Sequence, residues 1–133
     1  MTFRRALTAA YAVYLAVVAF LVFTPGGTSV GGPIAIVLDV LHAIGVEASR
    51  GQVEVGLNVL LFVPLSLLGW FLVRQGVRFW VVAAAVLSVT IELVQLAIPG
   101  RTTSFWDVVA NTSGAAVGAL LALGWTAWGK RGR

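Results

Sequence analysis

Glu92 and Asp107 are two carboxylates set inside long apolar stretches, with amides and a hydroxyl recurring beside them at helical spacing. Ser88, Glu92 and Gln95 are spaced by four and three, and Asp107, Asn111, Gly114 and Gly118 by four, three and four. Each series therefore occupies one helical face. Asn58 heads a third face, continued by Phe62, Leu65 and Gly69. Arg101, in the Pro99-Gly100-Arg101 turn, can reach back to Glu92 or Asp107 and lower the cost of keeping either charged. Such a set offers two kinds of chemistry. It can bind the hydroxyl, amide or phosphate groups of a ligand, with the guanidinium pairing to phosphate, or the two carboxylates can act as general acid and base.

Each of these residues also has a plainer reading. Asn58, Gln95 and Ser88 fit hydrogen-bonding glue between helices, and Gly114 with Gly118 form a G-x-x-x-G packing stripe extended by Ala115 and Ala119. His42 reads first as a wetted interfacial residue and second as an assisting acid–base group. For Glu92, Asp107 and Arg101 the functional reading leads, because an ionisable side chain at a bilayer centre costs about 2.5 to 3.5 kcal/mol.

The elements that must position these groups follow from composition. The chain has 133 residues, 59% hydrophobic and 11% charged, well outside the balance of a soluble domain. Fifteen glycines and no cysteine exclude a disulfide-stapled module, thiol catalysis and cysteine metal sites. One histidine and scattered acids make no metal set, and no cofactor motif occurs. Four segments are long and apolar enough to cross a bilayer: Ala6 to Phe23, Val55 to Val73, Phe79 to Ile98 and Trp106 to Trp128. The expected fold is an all-α membrane protein, a bundle of four transmembrane helices forming one domain over residues 1–133. Tyr11, Tyr14 and the tryptophans read as interface anchors and bundle packing.

Arg4, Arg5, Arg74, Arg78, Lys130, Arg131 and Arg133 flank one side of these spans, against Arg50 and Arg101 on the other. By the positive-inside rule both termini are expected in the cytoplasm, which also explains the net charge of +4 without nucleic-acid binding. In the first outer loop, residues 24–33 are rich in glycine and proline, whereas Ile34 to Val46 is apolar but too short to span. The latter suggests an interfacial or re-entrant helix. Glu47, Arg50, Gln52 and Glu54 then return the chain to water. On this reading Asn58, Glu92, Gln95, Asp107 and Asn111 all reach the outer-leaflet half of the bundle.

The strings Asn58-x-x-x-Phe62-x-Pro64-Leu65, Glu92-x-x-Gln95 and Arg101-x5-Asp107-x3-Asn111-x2-Gly114 together resemble the VanZ-like family of small membrane proteins. The likeness covers roughly residues 54–122; before that it extends to layout and to a histidine ahead of the second span. Three positions depart from the family pattern: Ser66 follows Pro64-Leu65 where the family has glycine, Ser104 stands where many members have an acid, and Asp39 is followed by Val40 instead of lysine. The resemblance implies a place in the bacterial cell envelope and a link to glycopeptide resistance of the teicoplanin kind.

The first functional expectation is a cell-envelope factor whose polar cluster of His42, Asn58, Glu92, Gln95, Arg101, Asp107 and Asn111 binds membrane lipid, a lipid-linked cell-wall precursor or a lipoglycopeptide. The alternative is a membrane-embedded hydrolase or transferase acting on a lipid-linked substrate, with Glu92 and Asp107 as acid and base and His42 assisting. No serine elbow or phosphate-binding glycine loop supports that alternative. A transporter needs a polar path through the whole bilayer, which the apolar inner halves deny to one copy but not to a homo-oligomer.

Overall fold

A computed structural model describes residues 2–23, 32–98 and 103–131. Among them are five helices and no strand: α1 (Phe3–Phe23), α2 (Pro33–Ala43), α3 (Arg50–Leu72), α4 (Val77–Gln95) and α5 (Phe105–Arg131). Four are long and apolar enough to cross a membrane, at 21, 23, 19 and 27 residues for α1, α3, α4 and α5. At 1.5 Å per residue they measure about 28 to 40 Å, enough for the hydrocarbon core. The protein is thus a multi-pass membrane protein.

The helix ends follow local chemistry. Pro33 opens α2 at a position where its missing N–H is no loss. The helix stops at Gly45, whose φ of 79° suits glycine. There Gly45 N–H donates to His42 O (3.0 Å) and Val46 N–H to Leu41 O (2.9 Å), the paired bonds of a Schellman C-cap. The sequence pattern places the second span from Val55, yet α3 begins at Arg50. Ser49 and Gln52 cap it reciprocally, with Ser49 N–H donating to Gln52 Oε1 at 2.8 Å and Gln52 N–H to Ser49 Oγ at 3.3 Å. That capping box satisfies two otherwise orphaned donors and carries Glu54 into the helix.

The core is the seam between α3 and α5, the pair in most extensive contact among the described residues, with α4 also packed on α5. Gly114 lies against the Val59 carbonyl, and Gly118 against the Val63 carbonyl and Ser66 Oγ; a methyl group at either glycine would overlap those atoms. Ala115, Ala119 and Ala122 of α5 are fully buried beside these glycines, and the first two pack in one cluster with Phe62 and Leu65 of α3 and Trp80, Ala84 and Ile91 of α4. Without a hydrophobic force between helices in lipid, such close backbone approach is what holds the pair together.

α1 is peripheral, with Val18 its one buried residue. It is tied to α3 by Tyr11, whose hydroxyl donates to Leu65 O at 2.9 Å, and by Tyr14, which donates to Leu61 O. These two tyrosines therefore join helices on either side of Pro64. Trp80 is buried in the core cluster against the space left by Gly69, whereas Trp106, Trp125 and Trp128 are exposed. The short helix α2 packs on α3 and exposes Ile36, Val40 and Ile44 at four-residue spacing. An unbroken eleven-residue helix with one apolar face outward fits the interfacial alternative.

Candidate functional site

At one end of the bundle the helices part around a cleft of about 170 Å³. Glu54, Asn58, Leu61 and Phe62 line it from α3, Ile91, Glu92 and Gln95 from α4, and Asp107 and Asn111 from α5. Leu21 and Val22 of α1 and Pro33 and Ile34 of α2 complete its apolar walls. The periodicities explain this directly: Glu54 and Asn58 are one turn apart on α3, as are Ser88 and Glu92 on α4 and Asp107 and Asn111 on α5.

The polar groups are knitted across helices. Asn58 Nδ2 donates to Asp107 Oδ1 at 2.7 Å, joining α3 to α5. Asn111 Nδ2 donates to Ser88 Oγ at 2.7 Å, joining α5 to α4. Gln95 Nε2 donates to Val22 O at 2.9 Å, holding the end of α1 against α4. Glu92 Oε2 accepts from the Ser104 N–H at 3.0 Å, while Ser104 Oγ accepts from the Trp106 N–H at 3.2 Å at the start of α5. In a capping box the acid three residues after the cap returns to the cap's own N–H. Here Glu92 of a neighbouring helix takes that N–H, and Asp107, three residues after Ser104, accepts from Asn58 instead. Asp107 also sits in the first turn of α5, where the helix dipole favours a negative charge.

Among the described residues lining the cleft, one buried polar atom is left over. Asn111 is 5% exposed, and its Oδ1 is buried with no hydrogen-bond partner among the described residues. Its Nδ2 meets Ser88 Oγ, which leaves Oδ1 as the unpaired end of the amide. A buried polar group of this kind costs stability unless something satisfies it.

Of the residues singled out by the sequence, Asn58, Glu92, Gln95, Asp107 and Asn111 share the cleft. His42 does not line it; it is exposed at the end of α2, with Nε2 3.8 Å from Glu47 Oε2. Arg101 lies outside the described residues. Gly114 and Gly118 lie below the cleft in the α3–α5 seam. Sequence reasoning missed Glu54, read there as a residue returning the chain to water. The available signal was its spacing of four from Asn58. No group of three or more histidine, cysteine or acidic side chains is placed to hold a metal among the described residues.

Polar acceptors and amides at one end of an apolar-walled cleft can hydrogen-bond a polar group, while Leu57, Leu61, Phe62 and Ile91 offer apolar surface beside them. Among known proteins, the family model described as VanZ/LLP1 matches residues 9–126, so the likeness extends over the first span and first loop as well. No curated protein and no solved structure matches the chain.

Proposed function

The chain belongs to the VanZ/LLP1 family, and from that premise we propose that it serves the bacterial cell envelope by binding a lipid or lipid-linked cell-wall precursor in the cleft between α3, α4 and α5. The observation that carries this reading is the convergence of Asn58, Glu92, Gln95, Asp107 and Asn111 from three spans on one apolar-walled cleft. The head group donates hydroxyl or amide hydrogens to the carboxylates and to Asn111 Oδ1, and the hydrocarbon lies along the apolar wall. Occupying the precursor, or changing its exposure, alters the access of lipoglycopeptides to it and gives teicoplanin-type tolerance.

In this reading the protein sits in the cell membrane with both termini in the cytoplasm, which puts the cleft at the outer leaflet. The distribution of arginine and lysine supports that orientation: Arg4, Arg5, Arg74, Arg78, Lys130, Arg131 and Arg133 flank the opposite end.

A second reading, a membrane-embedded hydrolase or transferase, is favoured by one observation: Glu92 and Asp107 line the same cleft. Both carboxylates already accept hydrogen bonds from the protein, which suits a binding and positioning role. One experiment separates the readings. Expression in a susceptible bacterium is expected to raise tolerance to teicoplanin more than to vancomycin, and Glu92→Gln or Asp107→Asn to abolish the gain at unchanged protein level. Conversion of a labelled lipid-linked precursor that needs both acids would overturn binding in favour of catalysis.

A further inference from the structure

The opposite end of the bundle carries a second cleft, of about 410 Å³, between the start of α1 and the end of α3. Arg4 and Arg74 line it together with Phe3, Leu7, Phe71 and Leu72. Arg4 lies in the first turn of α1, and Arg74 two residues beyond the last residue of α3. Two arginines from segments 70 residues apart in sequence thus line one hollow.

The charges of the chain are segregated by end. All five acids, Asp39, Glu47, Glu54, Glu92 and Asp107, lie on α2 and its following loop, the start of α3, the end of α4 or the start of α5. The arginine-lined end therefore contains no aspartate or glutamate, although Arg5, Arg78, Lys130 and Arg131 add to its positive charge. No carboxylate side chain of the chain is placed to neutralise Arg4 and Arg74. At the end of a membrane-spanning helix the anions at hand are lipid phosphates, and clefts of this sort between spans take anionic head groups. Arginine suits that role because its planar fork meets phosphate oxygens in pairs.

We propose that the cleft formed by Arg4, Arg74, Phe3, Leu7, Phe71 and Leu72 binds the head group of an anionic phospholipid of the adjoining leaflet. The phosphate sits between the two guanidinium groups, and the glycerol and upper acyl chain lie on the phenylalanines and leucines. A zwitterionic head group brings its own cation and gains less from this surplus of positive charge. Because α1 makes few buried contacts, a lipid bridging Arg4 and Arg74 also pins the start of α1 to α3. The site is independent of the polar cleft at the other end.

The test uses the purified full chain in nanodiscs of phosphatidylcholine containing a minor fraction of phosphatidylglycerol or cardiolipin, with retained lipid counted by native mass spectrometry. Attraction of basic residues to anionic lipid corresponds to about fivefold in affinity per arginine. Arg4→Gln with Arg74→Gln is expected to weaken anionic-lipid retention about thirtyfold on the same basis. Arg5→Gln with Arg78→Gln, an equal loss of charge at the same end but outside the cleft, is expected to weaken it by less than about fivefold. Wild-type retention is expected to fall as ionic strength rises and to withstand added inorganic phosphate. Equal losses in the two double variants would replace the site by a diffuse field and overturn the proposal. Insensitivity to both pairs or to salt would also overturn it, and displacement by inorganic phosphate would reject the lipid as occupant.

Discussion

The two halves of α5 use one helical face for opposite purposes. From Asp107 to Asn111 it carries polar side chains that meet Asn58 and Ser88 across a cleft. From Gly114 to Ala122 the buried positions are stripped to glycine and alanine, and Gly114 and Gly118 lie against the backbone of α3. The change takes less than one turn, between Asn111 and Gly114. In lipid, close backbone approach supplies association where apolar side chains cannot, because they gain little by leaving hydrocarbon. The lower half can therefore hold α3 and α5 together while the upper half keeps them apart around polar groups, one of which has no partner. The lesson is that stability and the candidate site occupy adjacent segments of one seam, so substitutions a turn apart should separate them.

The largest effect is expected at the packed half. Gly118→Leu drives a side chain into the Val63 carbonyl and Ser66 Oγ, and should destabilise the bundle by about 3 kcal/mol or more. Unfolding in bicelles by steric trapping measures it. A change below about 1 kcal/mol would show that the seam can open and would erase the contrast between the halves. A smaller effect belongs to the polar half. Asp107→Ala leaves the Asn58 amide without its 2.7 Å acceptor, at an expected cost of about 2 kcal/mol in the same assay. It should also abolish the tolerance phenotype. The smallest effect is expected at His42, which is exposed and outside the cleft. His42→Ala should leave both stability and tolerance within assay error, and loss of tolerance in this variant would bring the end of α2 into the site.

The contrast between the halves was legible in the sequence because both use the same spacing. Asp107, Asn111, Gly114 and Gly118 declare one face, and the change from polar to bare along it is visible without coordinates. The four spans were legible for a similar reason, since hydrocarbon thickness demands apolar runs of that length. What was not legible depended on contacts between segments. Glu54 looks like a loop charge until the Ser49–Gln52 capping box extends α3 to Arg50 and turns Glu54 onto the Asn58 face. Tyr11 and Tyr14 look like interface anchors, yet their hydroxyls serve carbonyls beside Pro64, a pairing that no local pattern encodes. The three-residue spacing of Asp39 and His42 gives them a common face but not the roll of α2, which turns Ile34 inward and leaves His42 outside. Arg101, central to the sequence reading, lies outside the described residues.

The measurement that bears most directly on the proposed cleft is binding of a lipid-linked cell-wall precursor to Asn111→Leu compared with wild type, by native mass spectrometry of the protein in nanodiscs. Leucine has the branching and side-chain heavy-atom count of asparagine, removes the unpartnered Oδ1 and gives up the bond to Ser88. The loss of one bond and relief of one unsatisfied group should leave stability within about 1 kcal/mol. The account predicts precursor retention at least about tenfold weaker, about 1.4 kcal/mol, in a bundle of unchanged helicity. Equal retention by the folded variant and wild type would contradict it and return Asn111 to the role of interhelical glue.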